Sequence, residues 1–175
     1  MPEKKLKNTL LRTVKADITD LEVEAFVFYA DSTLKLGAGF GNAIASRGGP
    51  KVQDELKALA PCALGDAVVT GAGAMKAKFI VHAVGPKFQE PDLEGKLKKT
   101  TLSALKRAEE KGVTQIAFPP LGVGFYGVAP DVSARVMLDA FKEHTAGSTK
   151  LKEIIICVRD TRETAPFEKA LASLG

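Results

Sequence analysis

Four short apolar runs, Ala25 to Ala30, Phe79 to Val84, Ile116 to Phe118 and Ile154 to Val158, constrain this chain more than any other feature of it. Runs of this length that do not alternate belong to strands buried on both faces, and such strands need helices packed above and below them. The intervening sequence supplies those helices. Leu93 to Lys111 places Leu97, Thr101, Leu102, Leu105 and Ala108 near a 3.6-residue period and stops at Gly112. Asp131 to His144 carries Val132, Val136, Leu138 and Phe141 in the same way, and Val52 to Ala60 and a closing segment from about Pro166 to Leu174 add two more helices. A fifth begins around Ala43-Ile44-Ala45. Thr9 to Lys15 and Asp66 to Thr70 read as further strands, the second joined to Phe79–Val84 by a link short enough for antiparallel neighbours. The expectation is an α/β fold: a three-layer α/β/α single domain over residues 1–175, with a mixed, mostly parallel central sheet of about six strands.

Two of the strands run into glycine-rich loops. Pro119-Pro120-Leu121-Gly122-Val123-Gly124-Phe125-Tyr126-Gly127 follows one, and Leu36-Gly37-Ala38-Gly39-Phe40-Gly41-Asn42-Ala43-Ile44 follows Ala25–Ala30. Backbone N–H groups in such segments can approach a phosphate without side chains intervening, and a helix starting near Pro130-Asp131 would add the positive end of its dipole. Either loop alone is also an ordinary turn. Together, two strand–loop–helix units lay their loops side by side at the carboxyl edge of a parallel sheet, where open α/β folds bind ligands. A ligand bearing a diphosphate is the reading they share.

Composition narrows the field. With 45% hydrophobic and 26% charged residues and no apolar run long enough to span a bilayer, the 175-residue chain reads as globular, with no membrane partner. Met1 to Asn8 is charged and lacks the apolar segment of a secretory leader, so a cytoplasmic location is expected. Two cysteines, Cys62 and Cys157, make no disulfide framework, and with only His82 and His144 beside them no metal-ligand spacing emerges. Neither a metal nor another cofactor is called for. The net charge of +4 and pI near 9.0 favour acidic partners. The basic residues are dispersed, aromatic content is 6% and Trp is absent, so a nucleic-acid partner is possible but unsupported.

Taken in order, these segments resemble the macro domain family over essentially the whole chain. Ala16-Asp17-Ile18-Thr19 looks like the family's Gly-Asp-Ile-Thr element, and Ala25 to Asp31 stands where its Ala-Ile-Val-Asn-Ala-Ala-Asn strand does. Leu36 to Ile44 resembles the first glycine loop, Val81-His82-Ala83-Val84-Gly85-Pro86 the His-x-Val-Gly-Pro strand end, and Gly122 to Gly127 the second loop. The resemblance implies recognition of ADP-ribose or a derivative, free or on a modified protein. Asp17 would accept the adenine amine with the Ile18 N–H beside it, though an Asp there also reads as a helix cap. Gly37, Ala38, Gly39, Phe40 and Gly41 would line the diphosphate and distal ribose, with Gly122, Val123, Gly124, Phe125 and Tyr126 closing from the other side. Arg159 stands where relatives often stack an aromatic on adenine; it reads either as a stacking guanidinium or as a solvated charge paired with Asp160.

Departures from the family bear on catalysis. Relatives that hydrolyse ADP-ribosyl esters typically carry Asn at the positions of Phe28 and Asp31 and Asp at that of Gly41. Phe28 cannot hold a ribose hydroxyl or a water, and Gly41 offers no base; Asp31 reads as a ribose acceptor or a turn residue. Binding without strong catalysis is therefore the first reading. An ADP-ribosyl hydrolase or ADP-ribose 1″-phosphate phosphatase is the second, and a binder of adenine-containing nucleic acid the third.

Overall fold

The structure is a computed structural model that describes residues 3–37 and 40–174. Among these residues seven strands form one sheet: β1 (Glu3–Leu6), β2 (Thr9–Lys15), β3 (Ala25–Ala30), β4 (Ala67–Gly71), β5 (Phe79–Val84), β6 (Gln115–Phe118) and β7 (Glu153–Val158). Their order is β1-β2-β7-β6-β3-β5-β4. The five strands from β2 to β5 run parallel, while β1 and β4 pair antiparallel at the two edges. The six anticipated strands are all present. The seventh, β1, is Glu-Lys-Lys-Leu, whose charges mask strand propensity in the sequence but suit an edge, where they oppose pairing with another chain.

Among the described residues five α-helices cover the sheet: α1 (Phe40–Gly48), α2 (Pro50–Leu59), α3 (Leu93–Glu110), α4 (Pro130–Ala146) and α5 (Thr161–Ser173). The closing helix starts five residues before the anticipated Pro166. Asp160 caps it by accepting from the N–H groups of Arg162 and Glu163, and the proline sits inside. Period-two alternation along β3 sends Ala25, Val27 and Tyr29 into the core beneath α3, α4 and α5, and Phe26 and Ala30 into the core beneath α1 and α2. Ion pairs such as Lys98 with Asp139 and Glu143 decorate the outer face of α3 and α4; solvent screens such exposed pairs, so the two cores carry the fold.

A polar pair, His82 on β5 and Thr70 on β4, is buried in the sheet. His82 on β5 is fully buried, and its Nε2 lies 2.9 Å from Thr70 Oγ1. Because Thr70 Oγ1 donates to Gly71 O at 2.8 Å, it accepts from His82, which fixes the proton on Nε2 and leaves Nδ1 without a partner. Burial pushes the His82 pKa down to about 3, so the ring is neutral in the folded protein. An unfolded histidine titrates near ~6.5. Between those values the unfolded chain holds the extra proton; this contribution is complete above pH ~6.5 and is lost as pH falls. Half-buried carboxylates such as Glu153, held below the usual range, join only as pH approaches their unfolded values, about 4.3. Urea unfolding between pH ~6.5 and ~5 should therefore show stability falling by up to ~1.4 kcal/mol per unit, and His82→Gln should flatten that slope. An identical slope in the variant would assign the loss elsewhere.

Candidate functional site

Strand β6 ends two residues before its neighbour. Phe118 pairs with Ile156, and the next residues are Pro119 and Pro120, which have no N–H and cannot extend the ladder beside Cys157 and Val158. On the other side β3 pairs with β6 only at Ala25 and Phe26, then continues along β5 to Ala30. The carboxyl edge of the sheet is thus split between β7 and β3. A cavity of about 530 Å³ occupies the split, running from Ala16, Ile18, Cys157 and Arg159 at the ends of β2 and β7 to Phe28, Tyr29 and Asp31 at the end of β3. Two interstrand spacings separate β7 from β3 and three separate β2 from it, about 10 and 14 Å.

Two backbone elements face each other across it. The first two residues of α1, Phe40 and Gly41, line the cavity, so the first turn of this helix opens onto it with N–H groups that have no intrahelical acceptor. The helix whose start lines the site is therefore α1, and not α4, whose first residues lie outside the lining. Opposite stands the loop 119–129. It is closed by Val128 N–H to Gly122 O at 3.0 Å and Gly127 N–H to Gly124 O at 2.9 Å, with Gly122 at φ 78°, a conformation that favours glycine. The N–H groups of Gly122, Gly124, Phe125 and Tyr126 donate to no acceptor among the described residues. Three of these residues, Gly122, Phe125 and Tyr126, line the cavity, so this side borders it with backbone donors that an anion can use.

Of the residues singled out from sequence, Ile18, Asp31, Gly37, Phe40, Gly41, Gly122, Val123, Phe125, Tyr126 and Arg159 come together around this cavity. Gly124 and Asp17 stand beside it without lining it. Ala38 and Gly39 lie outside the described residues. Asp17 caps the short 3-10 turn Ile18–Asp20: its Oδ1 accepts from Thr19 N–H at 3.0 Å and from Thr19 Oγ1 at 2.6 Å, and its Oδ2 lies 3.6 Å from an Arg47 nitrogen. The Thr19 hydroxyl is the main reason its pKa falls below the usual aspartate value. Asp31 holds a turn, accepting from Thr33 N–H at 2.9 Å. Arg159 does not pair with Asp160, which is engaged by Arg162 and the α5 cap; instead the Arg159 N–H donates to Glu163 Oε1 at 2.8 Å and its side chain lines the cavity.

The structure adds Ala16, Phe28, Tyr29, Lys35, Pro119, Pro120, Cys157 and Glu163 to the lining. Phe28 stacks on Phe40, with ring centroids 5.7 Å apart and planes 11° apart, and meets His82 edge-on at 6.0 Å. Tyr29 stands edge-on to Tyr126 at 4.8 Å and donates its hydroxyl to Pro86 O. Burial raises both tyrosine pKa values, so both rings stay protonated near neutrality, and it pushes the Cys157 thiol up to about 11. Cys157 is accordingly an inert thiol, donating to Ala16 O at 3.3 Å. No group of three His, Cys, Asp or Glu that could hold a metal occurs among the described residues.

The family model for the Macro domain matches residues 27–137. A macro domain-containing protein of Caldanaerobacter subterraneus subsp. tengcongensis is 36% identical over 170 residues, covering 94% of this chain and 97% of its own. This chain belongs to the macro domain family. A second macro domain-containing protein, from Chlorobaculum tepidum, is 32% identical over 95% of this chain and 98% of its own. Among solved structures, a macrodomain of Oceanobacillus iheyensis with ADP superposes with a TM-score of 0.92 over 99% of this chain and 95% of its own at 22% identity. A Trypanosoma brucei macrodomain in complex with ADP gives 0.85 over 92% of this chain and 68% of its own at 25% identity.

Within this macro domain, Gly85 is set by Tyr29. A Cβ added at Gly85 would lie 1.9 Å from Tyr29 Cε2, and the ring cannot yield freely because it is buried, packed on Tyr126 and hydrogen-bonded to Pro86. Gly85→Ala should destabilise the protein by about 1–3 kcal/mol in denaturant titration. An unchanged midpoint would mean that Tyr29 is free to swing into the cavity.

Proposed function

We propose that this macro domain, spanning residues 1–175, binds ADP-ribose or an ADP-ribose derivative, with the ligand laid along the split between β7 and β3. The observation that carries this reading is the pair of backbone elements that line the cavity: the first turn of α1 on one side and the free N–H groups of Gly122, Phe125 and Tyr126 on the other. A diphosphate fits between them because both elements present positive backbone ends to one space. Adenine then lies toward Ile18, Cys157 and Arg159, where the planar guanidinium offers a stacking surface. Asp17, beside the cavity, would meet the adenine amine with Oδ2, the oxygen that Thr19 leaves free and that lies 3.6 Å from an Arg47 nitrogen. The distal ribose lies toward Phe40, Phe125 and Tyr126. Structures similar in fold, a macrodomain of Oceanobacillus iheyensis with ADP and one of Trypanosoma brucei in complex with ADP-ribose, support the choice of ligand.

The reading is that of a binding module. At the distal end the side chains of Phe28 and Gly41 supply no group that could hold or deprotonate water, and Asp31, whose Oδ1 holds its turn, is the one carboxylate in the lining there among the described residues. Positioned acid–base groups typically supply a factor of ~10²–10⁴ in rate. Free ADP-ribose and ADP-ribosyl groups on proteins share the recognised portion, so both are ligands under this reading. No helix among the described residues is long and apolar enough to cross a membrane, and buried unpaired thiols at Cys62 and Cys157 agree with a reducing, cytoplasmic setting.

Calorimetric titration with ADP-ribose, AMP and oligo-adenylate tests the proposal, with product analysis of the same mixtures. ADP-ribose should bind well ahead of AMP and oligo-adenylate, without turnover. Gly37→Glu sharpens the test, because a Cβ at Gly37 meets nothing within 4 Å, so the variant keeps its fold while placing a carboxylate beside the diphosphate. At least a tenfold loss of ADP-ribose affinity, ~1.4 kcal/mol, is expected. Equal affinity for AMP and ADP-ribose, or indifference to Gly37→Glu, would refute the two-sided cradle. Rapid hydrolysis of an ADP-ribosyl ester would replace the binding module with an enzyme.

A further inference from the structure

The β3 end of the cavity carries a planar apolar wall. Phe28 and Phe40 form an offset stack, both rings line the cavity, and Phe28 is braced from behind by the edge of His82. Gly41 belongs to the same packing unit: a Cβ there would lie 3.5 Å from Phe28 Cζ and 3.3 Å from the Leu36 backbone. The wall is therefore fixed before any ligand arrives. Phe125 stands at the same end, 89% exposed. The charged groups there are Lys35 and Asp31, the latter turned onto Thr33.

A bare ribose makes poor use of such a wall, because its hydroxyls would give up water and gain few partners. A flat ring or guanidinium extends the stack and loses little by leaving water. We propose that this end is a subsite for a planar group on the anomeric carbon of the distal ribose, so that the protein prefers a flat-tipped ADP-ribosyl ligand to ADP-ribose itself. The proposal deepens the ADP-ribose reading and rests on it. Two sources share the chemistry: the nicotinamide of an intact dinucleotide, and the guanidinium of an ADP-ribosylated arginine side chain.

The experiment titrates the full chain with ADP-ribose, NAD+ and an arginine-ADP-ribosylated peptide, with the unmodified peptide as control. At least one flat-tipped ligand should bind about fivefold more tightly than ADP-ribose, the size of one offset aromatic pair. Which one does so identifies the source. Saturation-transfer NMR or peptide-proton shifts should place the preferred ligand's planar tip against protein. Phe40→Ala, shown to be folded by its thermal transition, should bring the ratio of affinities back toward one; should that variant not fold, the NMR contacts of the parent still decide. ADP-ribose binding more tightly than both flat-tipped ligands overturns the subsite and leaves the ADP-ribose reading intact. Binding of none of the three removes both.

Discussion

The early end of β6 is the constraint on which the site depends. Hydrogen bonding along a parallel sheet would otherwise close its carboxyl edge, and Pro119-Pro120 stops that closure because neither residue carries an N–H. Neighbouring strands β7 and β3 continue past the stop, each supported by pairing on its far side with β2 or β5. The gap is held open by rigid strands, which makes a preformed cavity possible. Loop 119–129 must then leave the sheet at once, and that departure leaves several of its N–H groups without partners.

Filling the gap's walls explains the aromatic residues around it. Where β3 runs without a β6 partner, Phe28 and Tyr29 point to opposite faces of the sheet, and each finds its own support: Phe28 between Phe40 and His82, Tyr29 between Tyr126 and Gly85. These contacts couple the cavity to both hydrophobic cores. A change at Gly41 or Gly85, neither of which carries a functional group, acts through the ring it faces.

Much of this was legible in the chain itself. Buried strands announce themselves as apolar runs, and the two glycine loops appeared where strand ends were expected, so the α/β/α architecture and ten of the lining residues followed from pattern and family resemblance. Charged β1 was hidden because an edge strand needs no apolar face. Lys35, Cys157 and Glu163 were missed as lining residues for another reason: their position depends on how far each strand extends relative to its neighbour, which no local pattern encodes. The Phe28–Phe40 stack joins residues twelve apart through a loop, and only the fold brings the two rings parallel.

Phe125 stands out in water at the rim of the cavity, an unusual place for an aromatic ring on a domain that buries Phe26, Phe118, Phe141 and Phe167 completely. Solvent must order around that ring as long as the cavity is open, and a ligand that covers it releases the solvent. The thermodynamic consequence is a negative heat-capacity change on association. The enthalpy of binding therefore becomes more favourable with rising temperature while the entropy becomes less so, and the balance between them is a property of the rim as much as of the ligand.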